Sequence, residues 1–251
     1  MTTHSFSRNP VARALAALAI VLLPGVASAQ IRRVSSSSAS DSRQTVNFTV
    51  GYFALKGLDS RVNDDVLLAD LQNAQPLLFE VRDFNSVPVG GEYLLAVNRH
   101  VEAGVGIAFS QRTVHSVYAN LTHSDNTEIA QDLKLRQIPV SFTGRLLLLP
   151  RGSAVEPYVG AGIVAIKWRY SEVGEFVDVD QSIFPARYVS NGTAAGPTVL
   201  AGIRSPIGNC TVGGEIRWQK AEGDLPASAG FLGTKIDLGG WTGNFTIGLR
   251  F

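Results

Sequence analysis

Apolar and polar residues alternate along most of this chain with the period of two that a strand with unlike faces requires. In 101–113, Val101, Ala103, Val105, Ile107 and Phe109 share one face; Glu102, Gly104, Gly106, Ser110 and Arg112 share the other. In 134–148, Ile138, Val140, Phe142, Leu146 and Leu148 oppose Ser141, Thr143 and Arg145. In 155–170, Tyr158, Val164, Ile166, Trp168 and Tyr170 oppose Lys167 and Arg169. In 209–220, Val212, Ile216 and Trp218 oppose Glu215, Arg217 and Gln219. With further segments near 45–55, 90–99, 195–205 and 240–251, the pattern predicts eight strands.

The gaps between them alternate long and short: about 34 residues (56–89), one or two at His100, about 20 (114–133), six (149–154), about 24 (171–194), three (206–208) and about 19 (221–239). Tight turns on one side and long loops on the other predict an all-β, antiparallel, up-and-down transmembrane barrel, with short periplasmic turns and long extracellular loops. The apolar faces then look at lipid, because an Arg at the bilayer midplane costs about 2–4 kcal/mol. Ten strands would require Leu77 to Phe84 to span, but Glu80, Arg82 and Asp83 occupy both faces there. Tyr158 to Trp168 and Trp241 to Phe251 are each ten residues apart. At ~3.3 Å per residue and a tilt near 40°, ten residues rise ~25 Å, the height of the apolar band. An aromatic girdle of Tyr158, Trp168, Trp218, Trp241 and Phe251 is expected.

The two ends of the chain bear on location. Met1 to Ala29 carries Arg8 and Arg13, an apolar run from Ala14 to Leu23, and Ala27 and Ala29 in small-x-small spacing. This predicts a signal peptide (1–29) cleaved before Gln30. The polar stretch 30–43, with Ser35 to Ser38 in a row, reads as a disordered periplasmic tail before a barrel domain over 44–251. At the other end, Phe245, Ile247, Leu249 and Phe251 alternate with small or polar residues and the chain stops on an aromatic. That ending resembles the C-terminal signal that the barrel-assembly machinery reads in bacterial outer-membrane proteins.

The segment Glu-Pro-Tyr-Val-Gly-Ala-Gly-Ile (156–163) looks like the fifth-strand motif of small OmpA-like and OmpW-like barrels. With Phe-Thr-Ile-Gly-Leu-Arg-Phe (245–251), it resembles the outer membrane protein beta-barrel domain. The resemblance covers the strands and not the loops. It implies the outer membrane of a Gram-negative-type bacterium, and says little about activity, since such barrels include anchors, adhesins, small channels and lipid-modifying enzymes. No peptidoglycan-binding domain of the kind OmpA-type proteins carry is expected after Phe251.

Composition adds exclusions. Of 22 basic residues two lie in the signal segment, leaving 20 against 21 acidic, a balance that gives no reason to expect nucleic acid. The lone Cys210 excludes an internal disulfide and a Cys-rich metal site. Strand parity puts Glu92, Glu102, Arg112, Arg145, Lys167, Arg169, Arg204, Glu215, Arg217 and Arg250 in the lumen, with Glu102, Arg204 and Arg250 near the periplasmic end. Two readings stay open: a plug of ion pairs, or a narrow pore whose excess of basic residues favours anions.

For catalysis, the candidates are His115, Ser116 and His123 in one predicted loop and Ser171 and Glu172 in the next, with His100 at a periplasmic turn. None matches a lipase-type G-x-S-x-G spacing. The run 176–180 offers Asp178 and Asp180 as oxygen donors but lacks the Gly and distal Glu of a loop calcium site. The first long loop mixes acids (Asp59, Asp64, Asp65, Asp70, Glu80, Asp83) with Leu67, Leu68, Leu71, Leu77, Leu78 and Phe79. So apolar a loop is expected to fold over the barrel mouth, extend a hairpin outward or pack on a partner.

The favoured expectation is a monomeric, non-enzymatic structural or surface-interaction barrel with no metal or cofactor. Its partners would be outer-membrane lipid and lipopolysaccharide, and the assembly machinery during insertion. The alternatives are a small-solute channel and a lipid-A-modifying enzyme.

Overall fold

The computed structural model describes residues 43–178 and 180–251. The expected signal peptide, and the expected tail apart from Arg43, lie outside them. Eight strands form one ring: β1 Gln44–Leu55, β2 Val89–Ala96, β3 Val101–Thr122, β4 Glu128–Leu147, β5 Glu156–Val177, β6 Ile183–Ile207, β7 Cys210–Gln219 and β8 Gly240–Arg250. Each pairs antiparallel with its neighbours in sequence, and β8 closes on β1 from Thr45↔Arg250 to Leu55↔Gly240. Closure leaves no sheet edge in the ring with unpaired backbone groups, which lipid could not solvate. Leu77–Leu78 only pairs with Tyr118 and Val117 at the outer rim, so it does not span.

Two of the predicted long loops are strand instead. The segments 114–133 and 171–194 are mostly continuations of β3, β4, β5 and β6, and among the described residues only 123–127, Asp178 and 180–182 lie outside the strands there. Both tips are built alike. Asn126 and Gln181 take positive φ (66° each), and Asp125 and Asp180 accept from the backbone N–H of Thr127 and Ser182 (3.0 Å each). Asp180 is therefore a turn-forming residue. Among the described residues no group of three or more His, Cys, Asp or Glu is arranged to hold a metal. At the opposite end, Gly208 takes φ +61° at the first central position of the two-residue β6–β7 hairpin, where a primed turn favours glycine.

The long strands explain why the sequence reads as loop there. Within the band, β5 turns Val159 and Ile163 outward, while Glu156 and Tyr158 are buried inside. Higher up, the inward positions Val164, Ile166, Trp168 and Tyr170 are apolar and fully or nearly buried, while Lys167 is exposed. Outside the membrane the outer face meets water, so the apolar–polar contrast reverses while the parity stays constant. The expectation that Tyr158, Val164, Ile166, Trp168 and Tyr170 face lipid, with Lys167 and Arg169 in the lumen, is corrected accordingly. Arg169 shares the outward parity of Lys167.

What those inward apolar residues pack on is the first loop. It carries a helix, α1 (Val66–Gln72), and two 3₁₀ turns, Leu58–Ser60 and Val81–Phe84. Its Val66, Leu67, Leu77, Val81 and Phe84 join Leu225, Ile236 and Leu238 of the 220–239 loop against Val114, Leu133, Leu135, Ile166, Trp168 and Tyr170. The apolar first loop thus folds over the mouth, inside a wall made by β3–β6. Trp168 fits because Gly192 and Gly223 flank it; a Cβ on Gly223 would lie 2.5 Å from the indole Nε1.

A buried polar knot ties the two loops. Asp65 N-caps α1 by accepting from the Leu67 N–H (3.0 Å), takes both arms of Arg61 (2.9 Å each) and accepts from the Asp237 N–H (2.6 Å). Lys56 reaches the Asp237 carboxylate at 2.9 Å. Helix α1 is too short to persist alone, so the cap and this knot hold it.

Candidate functional site

The interior of the band holds two tiers of ion pairs. In the upper tier Arg145 on β4 donates to Glu92 on β2 (2.6 Å) and Glu215 on β7 (2.7 Å), and lies 4.8 Å over the Tyr158 ring. Arg217 bonds Glu215 (3.0 Å), Ser141 (2.9 Å) and Glu92 (3.3 Å), and the Tyr158 hydroxyl donates to Glu215 (3.1 Å). In the lower tier Arg204 on β6 donates to Glu102 on β3 (2.6 Å) and Glu156 on β5 (2.7 Å). Arg250 on β8 donates to Glu156 (2.5 Å), and Arg151 in the β4–β5 turn bonds Glu102 and Thr45. Nearly all these groups are buried, where an unpaired charge would be very costly. Each carboxylate meets at least two donors, so the network links strands across the barrel as well as around it.

Above the upper tier is a cavity of about 60 Å³ lined by Thr49, Glu92, Ser141, Arg217, Gln219 and Asn244 among others. That space is large enough to hold water. Then comes the apolar layer of Ile166 and Trp168 (0% and 2% exposed) under the cap.

Seven of the ten residues placed in the lumen from sequence share these tiers: Glu92, Glu102, Arg145, Arg204, Glu215, Arg217 and Arg250. Three do not. Lys167 and Arg169 are on the outer wall. Arg112 sits at the rim above the end of β2, exposed, with its Nε–H bonded to the Asp83 carbonyl (2.8 Å). Sequence reasoning missed Arg151, Glu156 and Tyr158. Glu156 was findable: it opens β5 at the level of Arg204, its register partner. The excess of basic over acidic lumen residues also shrinks, to five guanidiniums (Arg145, Arg151, Arg204, Arg217, Arg250) against four carboxylates (Glu92, Glu102, Glu156, Glu215) among the described residues.

Of the proposed girdle, Trp218 and Trp241 are register partners on the outer face, and Trp241 and Phe251 are 56% and 60% exposed at opposite ends of β8. Tyr158 and Trp168 point inward instead: one reaches the ion pairs, the other the cap. Phe245, Ile247 and Leu249 face outward from β8. With Val46, Phe48, Tyr93, Leu95, Ile107, Leu146, Val159, Ile163, Ile203 and Ile216 they complete an apolar belt around the ring. Monomeric proteins in water rarely expose continuous patches beyond a few hundred Å², so the solvent of this belt is lipid.

The candidate catalytic groups are separated. His115 pairs with Asp132 at 3.0 Å on the exposed face; Ser116 points to the other face and donates to the Leu78 carbonyl. His123 contacts Glu175 (2.8 Å), and His100 the Leu147 carbonyl (3.1 Å). Glu172 instead sits buried with Tyr170 and Asp70 of α1. Burial, with Glu172 adding to it, pushes the Asp70 carboxyl well above the usual range.

No family model matches the sequence, and no curated protein matches it. Solved structures match in shape. The outer membrane protein OprG from Pseudomonas aeruginosa is 11% identical, covering 84% of this chain and 96% of its own at a TM-score of 0.48. The N-terminal β-barrel domain of OprF from the same organism is 11% identical over 84% and 98%, with a TM-score of 0.40. Outer membrane protein W of E. coli is 13% identical over 84% and 98%, with a TM-score of 0.33. On its own geometry of a closed ring, apolar belt and charged interior, the chain is an eight-stranded antiparallel transmembrane β-barrel.

Proposed function

We propose that the chain is a non-enzymatic surface protein of the outer membrane whose lumen is closed to solutes. The observation that carries this reading is the pair of ion-pair tiers crossing the barrel beneath an apolar cap. A solute entering from outside would have to displace the cap, then part Arg145 from both its carboxylates, then open the Arg204–Glu156–Arg250 tier. In this reading the work falls to the wall of β3–β6 and its tips at 123–127 and 178–182. The separation of His115 from Ser116 supports the absence of catalysis, and the outward row Phe245, Ile247, Leu249 and Phe251 suits recognition by the assembly machinery.

The test is planar-bilayer conductance of refolded protein, with folding checked by the heat-dependent gel shift of stable barrels. A silent bilayer with folded protein is expected. Reproducible small steps would replace this reading with that of a small-solute channel.

A further inference from the structure

Just above the apolar belt, the outer wall carries a basic cleft of about 170 Å³ lined by Gln111, Lys134, Arg136, Arg169, Ser171 and Arg187. Arg136 on β4 and Arg169 on β5 are direct register partners, and Lys134 is opposite Ser171. Lys167 lies two residues below Arg169 on the same outward parity, and Arg187 faces out from β6 opposite Val173. Like charges placed directly across a ladder destabilise it. Among the described residues none of Lys134, Arg136, Lys167, Arg169 and Arg187 makes an ion pair. The acids nearest in sequence are engaged or turned away: Asp132 holds His115, Glu175 holds His123, and Glu172 is buried inside.

Height identifies the counterion. Arg136 and Lys167 each lie eleven residues above the periplasmic ends of their strands, Leu147 and Glu156, and Lys134 and Arg169 lie thirteen above. At ~3.3 Å per residue and a tilt near 40°, these are rises of ~28 and ~33 Å, just past an apolar band ~25 Å tall. The side chains leave the barrel sideways, toward the neighbouring lipid, at the level of the outer-leaflet headgroups. Guanidinium forks suit phosphate oxygens, and paired guanidiniums with flanking ammonium groups suit a dianion.

We propose that this cleft binds the phosphate of a phosphorylated glycolipid of the outer leaflet, with Arg136 and Arg169 as the gripping pair and Lys134, Lys167 and Arg187 around it. The site is independent of whether the lumen conducts.

The test is native mass spectrometry of the refolded full-length protein from micelles doped with lipid A, with its enzymatically dephosphorylated form and with a zwitterionic phospholipid. Wild type is expected to retain lipid A over both comparison lipids by at least about tenfold, the worth of one or two charge-assisted hydrogen bonds. The R136Q/R169Q double variant, with its gel shift intact, should lose that preference, and K134Q/K167Q should weaken it. Equal retention of the dephosphorylated lipid, or undiminished retention by R136Q/R169Q, would overturn the proposal. So would displacement of lipid A by millimolar inorganic phosphate or by soluble heparin, which would make the cleft a general polyanion site. If R136Q/R169Q did not fold, the K134Q/K167Q variant and the dephosphorylated lipid would decide alone.

Discussion

Replacing Arg145 with Ala should destabilise the barrel strongly without opening it. The guanidinium is 1% exposed and bridges Glu92 and Glu215, themselves 4% and 2% exposed. Removing one partner of a buried pair typically costs about 3–5 kcal/mol, because the partner stays buried and unpaired. Two carboxylates would be stranded here, which argues for the upper end. Arg217 already reaches both, at 3.3 and 2.9 Å, and can take over part of the load, which argues for the lower end. The expected loss is therefore about 3 kcal/mol, read by urea unfolding in vesicles with Trp fluorescence. Adding Glu92→Gln to Arg145→Ala should restore part of it, since the remaining Glu215 and Arg217 then pair with each other and no carboxylate of the tier lacks a guanidinium. Conductance should stay silent in the single variant, because the Glu102–Arg204–Glu156–Arg250 tier and the Trp168 layer remain on either side. Two results would refute the reasoning: an Arg145→Ala barrel within about 0.5 kcal/mol of wild type, or a conducting one. The first would mean the tier does not hold the strands, the second that it alone blocks the path.

Position on the outer wall makes a second prediction. Ile163→Arg puts a charge into the lipid-facing belt and should cost about 2–4 kcal/mol in vesicle unfolding, whereas Val173→Arg, on the same face of β5 but ten residues higher, should stay within about 0.5 kcal/mol. The cap makes a third. Asp70 lies buried against Tyr170, Glu172 and Asp65, so the folded cap keeps a proton that the open loop releases above its ordinary value of 3.8. The stabilisation is fully present below that value and is lost as pH rises through the raised one. Hydrogen exchange in 56–88 should accelerate from pH 4 upward, and Asp70→Asn should flatten that slope; exchange that slowed with rising pH, after correction for intrinsic rates, would mean Asp70 is ionised in the cap.

Strand number and the faces of β3, β4 and β7 were legible because each carries an uninterrupted apolar set opposite a polar one within the band. In β5 the same logic failed. Its in-band outward set is small (Val159, Ala161, Ile163), so the bulkier inward set from Val164 to Tyr170 dominated the pattern. A parity rule that assumes one solvent outside the barrel cannot see a strand that passes from lipid into water. The strands β3–β6 do so, which is also why their outer halves resembled loops: an outward face of Thr113, His115, Asp132 and Lys134 is what a water-facing strand should carry.

The tiers follow the same division. Arg145, Glu215 and Arg204 could be placed from parity alone, since a charge inside the band has only the lumen to go to. Glu156 opens β5 before its alternation is established and was findable only through its register partner Arg204, and Arg151 sits in the turn, where parity does not constrain a charge. The knot of Arg61, Asp65, Asp237 and Lys56 was beyond reach for another reason: it joins residues 181 apart in sequence through loops whose course no periodicity records. What the sequence does hold is the consequence. A first loop this rich in Leu needs an apolar surface to cover, and β5 supplies one at Ile166 and Trp168 once Gly192 and Gly223 leave room for the indole. Cap and wall are thus two halves of one core, and the same reversal of faces that hides the core from a periodicity argument leaves Lys167 and Arg169 outside, beside the lipid headgroups.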